Sequence, residues 1–217
     1  MEQQKIESTI WHELGHIFLA IYSKAYISKL EFDKRGIYTG QRHDFTFGGM
    51  THYNDFVKND DIYRLNNSSF LFLRILNIYS GSIFQSMYYE LNANDFFMKG
   101  KNHSKSDYSN FENKIIEFEK LNQVNIEHFC YNAFNELELA FKNDVKIKSI
   151  LKVATYLIQH KWTIDVHKYY NISADTLIEI IELMSNCITD ETTKKIKDIE
   201  LNFQDYLKIV TNKNDRN

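Results

Sequence analysis

The sequence predicts a mostly α (α+β) fold, and three observations carry that reading. Proline is absent from all 217 residues, where about ten would be average, so nothing forces a break in long helices. Five of the seven glycines fall at or before residue 49, which gathers turn-rich, strand-compatible chain near the N-terminus. Beyond residue 101 the apolar residues recur at helical spacing. The 16 Phe and 14 Tyr predict an aromatic core.

The first helix is expected over residues 3–22. Ile6, Ile10, Leu14, Ile17 and Ile21 recur there at spacings of three and four, which lays one apolar stripe along a helix. Short strands follow in 25–53. Ile27, Leu30 and Phe32 precede a turn-like Lys34-Arg35-Gly36, and Phe45 to Tyr53 forms the next strand-like run. Residues 54–67 are polar and read as a loop. Residues 68–91 form a strongly apolar helix crossed by Ser80-Gly81-Ser82, and 92–105 a polar connection. Ser106 or Asp107 can cap a helix through Lys120, Asn125 one through Phe141, and Ser173 one through Met184. Ile196, Ile199, Phe203, Tyr206 and Val210 mark a final helix, and 211–217 a polar, frayed tail. With no internal repeat and no low-complexity linker, residues 1–217 are expected to form one domain. Within it, 1–105 carries the first helix, the small sheet and the apolar helix, and 106–217 is a helical subregion.

Composition excludes several functions. A formal charge of −3 and a pI near 6.2 supply no basic field for nucleic acid. The most apolar stretch, Phe70 to Tyr79, contains Arg74 and Asn77 and is far shorter than the roughly 20 residues of a membrane span. No apolar segment of the leader type precedes residue 12, so no signal peptide is expected. Cys130 and Cys187 lie far apart and not at metal-ligand spacing. They read as buried thiols of a reducing cytoplasm.

The chemistry is concentrated in His12-Glu13-Leu14-Gly15-His16, an HExxH motif inside the first helix. Histidines four apart on a helix project from one face, so both imidazoles can reach one metal ion. Glu13 stands beside them, placed to act on water rather than on the ion. Uncharged flanks, Thr9-Ile10-Trp11 and Ile17-Phe18, suit a helix that excludes water around a divalent cation. Two buried histidines and a carboxylate lacking a metal or partners would be costly. The motif therefore predicts Zn2+ and a zinc-dependent hydrolase, foremost a peptidase, with a zincin-like helical domain and a small sheet near the metal-binding helix. A catalytic zinc takes three protein ligands and one exchangeable position. The extended HExxHxxGxxH pattern is excluded, because Leu19 and Tyr22 stand where its Gly and His would be. A carboxylate or a distant histidine must supply the third ligand.

The order of features resembles the peptidase domain of FtsH-type AAA+ metalloproteases. That family has a HEAGH motif in its first helix, a Gly-Gly-Tyr-Thr-type edge strand, a helix with Gly-Gly-Arg-Ala-Ala-Glu, and a Ser/Asn-Asp-Leu segment whose Asp is the third zinc ligand. The corresponding pieces here are the HExxH motif, Gly48-Gly49-Met50-Thr51-His52, Ser80-Gly81-Ser82-Ile83-Phe84-Gln85 and Lys105-Ser106-Asp107-Tyr108. The resemblance implies a stand-alone relative with Asp107 as third ligand. A carboxylate at a helix start after a polar loop can also swing toward a metal on another helix; the rival role for Asp107 is a residue favoured there by the helix dipole. The departures are plain. No ATPase module or membrane anchor is expected before the motif, the family's Arg and Glu are missing from the second helix, and the spacing from His16 to Asp107 is longer. By resemblance the partners are peptide or unfolded protein, a separate ATPase and a homo-oligomer.

The chief rival ligand is Glu90, in a segment similar to the Glu-x-x-Ala-Asn/Asp helix of glutamate-ligand zincins; His103 is a further option. On that alternative the chain is a non-catalytic or single-substrate regulatory metal-binding protein. In the peptidase reading Glu13 is the general base. Gly48, Gly49, Met50 and Thr51 belong to the strand that would hold an extended substrate at a sheet edge, the glycines allowing close backbone approach or a tight turn. His52 and Tyr53 are candidates for the oxyanion.

Overall fold

The computed structural model describes residues 2–39, 42–54, 67–94, 97, 105–142, 144–164 and 169–214. Helix α1 (Glu2–Tyr22) is followed by strands β1 (Tyr26–Thr39) and β2 (Arg42–Asn54), then helix α2 (Asn67–Tyr89). Helices α3 (Lys105–Asn122), α4 (Glu127–Lys142) and α5 (Val145–Lys161) come next. Strands β3 (Thr163–Ile164) and β4 (Tyr169–Asn171) separate them from α6 (Ala174–Ser185) and α7 (Asp190–Asn214). The fold is mostly helical with one small antiparallel sheet of order β2-β1-β4-β3, as the sequence predicts.

Four details differ from the sequence reading. The first two strands are long rather than short, because Lys34-Arg35-Gly36 does not turn: Lys34 pairs with Phe47 and Gly36 with Phe45 inside one continuous ladder. The register of thirteen paired positions overrides the local turn propensity. Strands also occur in the C-terminal half, where only helices are expected. Tyr169–Asn171 adds to β1 through Glu31 to Asp33, and this edge pairing is a tertiary event with no local signal. The last helix runs on through Asn214, so residues 211–214 are not a frayed tail. Asp107 lies within the first turn of α3, which starts at Lys105, and its carboxylate is turned to the histidines rather than used as a cap. Of the loop expected at 54–67, Asn54 belongs to β2 and Asn67 to α2, and residues 55–66 fall outside the described residues.

Helix α1 forms because its apolar stripe has somewhere to go. Ile10, Leu14 and Ile17 are fully buried, and α1 packs on α2 on one side and on β2, α5 and α6 around it. At the crossing with α2 the two backbones nearly touch. A Cβ on Gly15 would lie 2.5 Å from the Ser80 carbonyl oxygen, and Ser80 Oγ donates to Gly15 O at 2.9 Å. Only glycine allows that approach. Aromatic stacking fixes α2 against the C-terminal half. Phe72 stacks on Phe203 of α7 with centroids 4.0 Å apart, and Tyr79 on Phe134 of α4 at 3.8 Å. Phe84 and Phe18 both meet Phe141 of α4. Two of the expected caps are in place, with Asn125 Oδ1 accepting from Glu127 N and Ser173 Oγ from Thr176 N. Cys130 and Cys187 are buried free thiols, and burial pushes both thiol pKa values up, Cys187 to about 12. Among the described residues no helix is long and apolar enough to cross a membrane.

Candidate metal centre

His12 and His16 lie one turn apart on α1 and face α2. Their Nε2 atoms are 3.1 Å from each other. Asp107, carried in by the start of α3, brings Oδ2 to 2.7 Å from His12 Nε2 and 3.6 Å from His16 Nε2. The three atoms form a small triangle. Zinc bonds of about 2.0–2.1 Å in a tetrahedron place neighbouring ligand atoms about 3.3 Å apart, so a triangle of this size suits one such ion. His12, Glu13 and His16 also offer ligand atoms within 4.8 Å of one another.

The far side of each ring decides what the near side can do. His16 Nδ1 is 2.9 Å from the backbone oxygen of Asn77 and 3.2 Å from its Oδ1. A carbonyl only accepts, so Nδ1 carries the hydrogen, and in the neutral ring Nε2 presents a lone pair. His12 Nδ1 is likewise 3.1 Å from Gln85 Oε1. The buried Asp107 Oδ2 accepts no well-directed hydrogen bond, although His12 Nε2 stands so close. Two lone pairs at 2.7 Å repel unless a cation lies between them. A proton or a metal ion meets that need, and the donor set of two imidazoles and a carboxylate is one that binds divalent metals.

Local sequence places these groups. Asn77, Gly81 and Gln85 stand four apart, so they line one face of α2 opposite the histidines. Gly81 is the cradle: a Cβ there would lie 2.7 Å from His16 Nε2 and 2.8 Å from His12 Nε2. Asn77 Nδ2 also donates to His16 O at 3.0 Å, joining α2 to α1. The polar stripe in an otherwise apolar helix was the signal available for Asn77 and Gln85, neither of which sequence reasoning singled out as a site residue.

Glu13 sits beneath β2. Thr51 Oγ1 donates to Glu13 Oε2 at 2.7 Å, and a Cβ on Gly49 would lie 2.5 Å from Glu13 Cγ. Residues 49 and 51 share one face of the strand, and both meet the glutamate. Met50 is 52% exposed. The side-chain surroundings of Gly48, His52 and Tyr53 lie outside the described residues, as does His103 entirely.

Glu90 is not in this group. It is exposed, with φ 57°, just past the end of α2. Leu91 N donates to Ser86 O at 2.9 Å and Glu90 N to Met87 O at 3.4 Å, the bond pair of a Schellman helix stop. Glu90 occupies the position usually given to glycine, and its side chain is exposed.

No protein-family model matches the chain, and no curated protein or solved structure is significantly similar to it.

Proposed function

We propose that this chain is a zinc-dependent metallopeptidase in which His12, His16 and Asp107 hold the ion and Glu13 is the general base. One observation carries the reading. Three acceptor atoms from two helices converge on a point, while both Nδ1–H groups are engaged behind them. Bound there, zinc would supply Lewis-acid polarisation of a carbonyl and activation of water near neutral pH.

The chain's own residues supply the rest. Glu13 takes the proton of the attacking water and passes it to the leaving amine. Thr51 steadies its second oxygen, and Gly49 lets the strand lie close enough for that contact. Strand β2 is the outer strand of the described sheet, so an extended peptide laid beside it would run past Glu13.

Elemental analysis combined with hydrolysis of an unstructured peptide tests the reading. About one zinc per chain is expected, with cleavage that chelation abolishes. Glu13→Gln is expected to keep the zinc and lose about 10²–10⁴-fold in turnover. Asp107→Ala is expected to lose zinc, whereas Glu90→Ala retains it. Undiminished turnover in Glu13→Gln would rule out the role of Glu13, and full zinc in Asp107→Ala would rule out the ligand set.

A further inference from the structure

We infer that Gln85 is a positioning residue that sets how tightly this chain holds its metal, acting through His12; the inference rests on the zinc-site reading above. The two histidines are supported differently. Behind His16 stands the backbone carbonyl of Asn77 at 2.9 Å, with that residue's Oδ1 farther off at 3.2 Å, and no substitution removes the carbonyl. Behind His12 stands a side chain, the Gln85 amide, at 3.1 Å in a buried setting. The strength of His12 as a ligand is therefore open to adjustment by one residue.

The chemistry of that residue gives the direction. An acceptor at Nδ1–H orients the ring and leaves Nε2 free to coordinate; a carboxylate acceptor also draws the proton toward itself and makes the imidazole a stronger donor to the ion. A neutral amide does the first and little of the second. Gln85 thus fixes the tautomer while leaving the ion more weakly held and more electron-deficient than a carboxylate would. The geometry supports acceptance by Oε1, and a glutamate at this position could keep the same contact with the same side-chain length.

Zinc dissociation constants from chelator competition on the purified full chain, wild type against Gln85→Glu and Gln85→Met, test this. Gln85→Glu is expected to bind zinc about tenfold more tightly and Gln85→Met about 10–100-fold more weakly. The visible absorption bands of the Co2+-substituted Gln85→Glu protein should shift from those of wild type, which a change in packing alone would not produce. Equal zinc affinity in all three proteins would overturn the inference and leave the zinc site standing. Weakening by Glu as much as by Met would reduce Gln85 to a packing role and also overturn it. Absence of zinc binding by the wild type would remove the site reading and the inference together.

Discussion

His16 and Asp107 form a buried charged pair. Burial alone would lower the His16 pKa. The nearby Asp107 carboxylate, helped by the charge of Glu13 and the Asn77 carbonyl, outweighs it and raises the value from 6.5 to about 9. Burial also works against ionised Asp107, but His12 and His16 hold it well below the usual carboxylate range. The His16 contribution to stability is complete below pH 6.5 and lost as pH rises through about 9. That of Asp107 is present above 3.8 and lost on acidification through its lowered folded value. The pair thus supports the metal-stripped fold most between pH 3.8 and 6.5. Zinc needs His16 unprotonated at Nε2, so binding releases a proton and affinity should rise about tenfold per pH unit from 6.5 toward 9. Chelator-competition titrations across that interval measure the slope, and a flat profile would show that the pair holds no proton. Glu13 and the two histidines were legible as residues because HExxH is a helical spacing that sets both imidazoles on one face. Gln85 and Asn77 were not, because a polar side chain in an apolar helix reads equally as a kink, a contact or a site until its partner is known.

Helices α1 and α2 meet through two glycines with different duties. Gly15 admits the Ser80 backbone, and Gly81 admits the imidazoles. Gly81→Ala should therefore act on the metal more than on the fold. Its methyl group would occupy the space beside both Nε2 atoms, and moving the rings aside costs about 1–3 kcal/mol. A zinc affinity about 5–150-fold weaker is expected, at 1.4 kcal/mol per tenfold, read by chelator competition, with the far-ultraviolet circular dichroism of wild type retained. Unchanged affinity would mean that the rings have room to spare. Helix ends were the least legible elements. Lys24, Glu90 and Gln123 all take positive φ, and each stands at a helix stop closed by backbone bonds to the preceding turn. Glycine usually marks such stops, and this chain uses none there. Glu90 consequently reads as a free carboxylate in the sequence although the backbone has assigned it to a cap.

Across the whole molecule the site is a junction of three elements: α1 supplies the imidazoles, α2 their supports, and α3 the carboxylate. An ion bound there ties together parts of the chain far apart in sequence, so it should stabilise the folded state as a whole. Zinc at about 100 times its dissociation constant contributes about 2.7 kcal/mol. At this chain length that is a rise in Tm of roughly 5–10 °C, reversible by chelator and readable by calorimetry. Metal that binds without raising Tm would be held elsewhere, or equally well by the unfolded chain. The aromatic stacks from α2 to α4 and α7 give the same junction its backing, since they fix the helix carrying Asn77, Gly81 and Gln85.

By itself the sequence determined the helical class, the amphipathic stripe of α1 and the pairing of His12 with His16 on one face, because all three follow from spacing along a single helix. Which carboxylate joins them was left between Asp107 and Glu90, since no local rule measures a distance across ninety residues. Tertiary structure decided it: the stop at Glu90 turns one carboxylate outward, and the packing of α3 on α2 brings the other to the imidazoles.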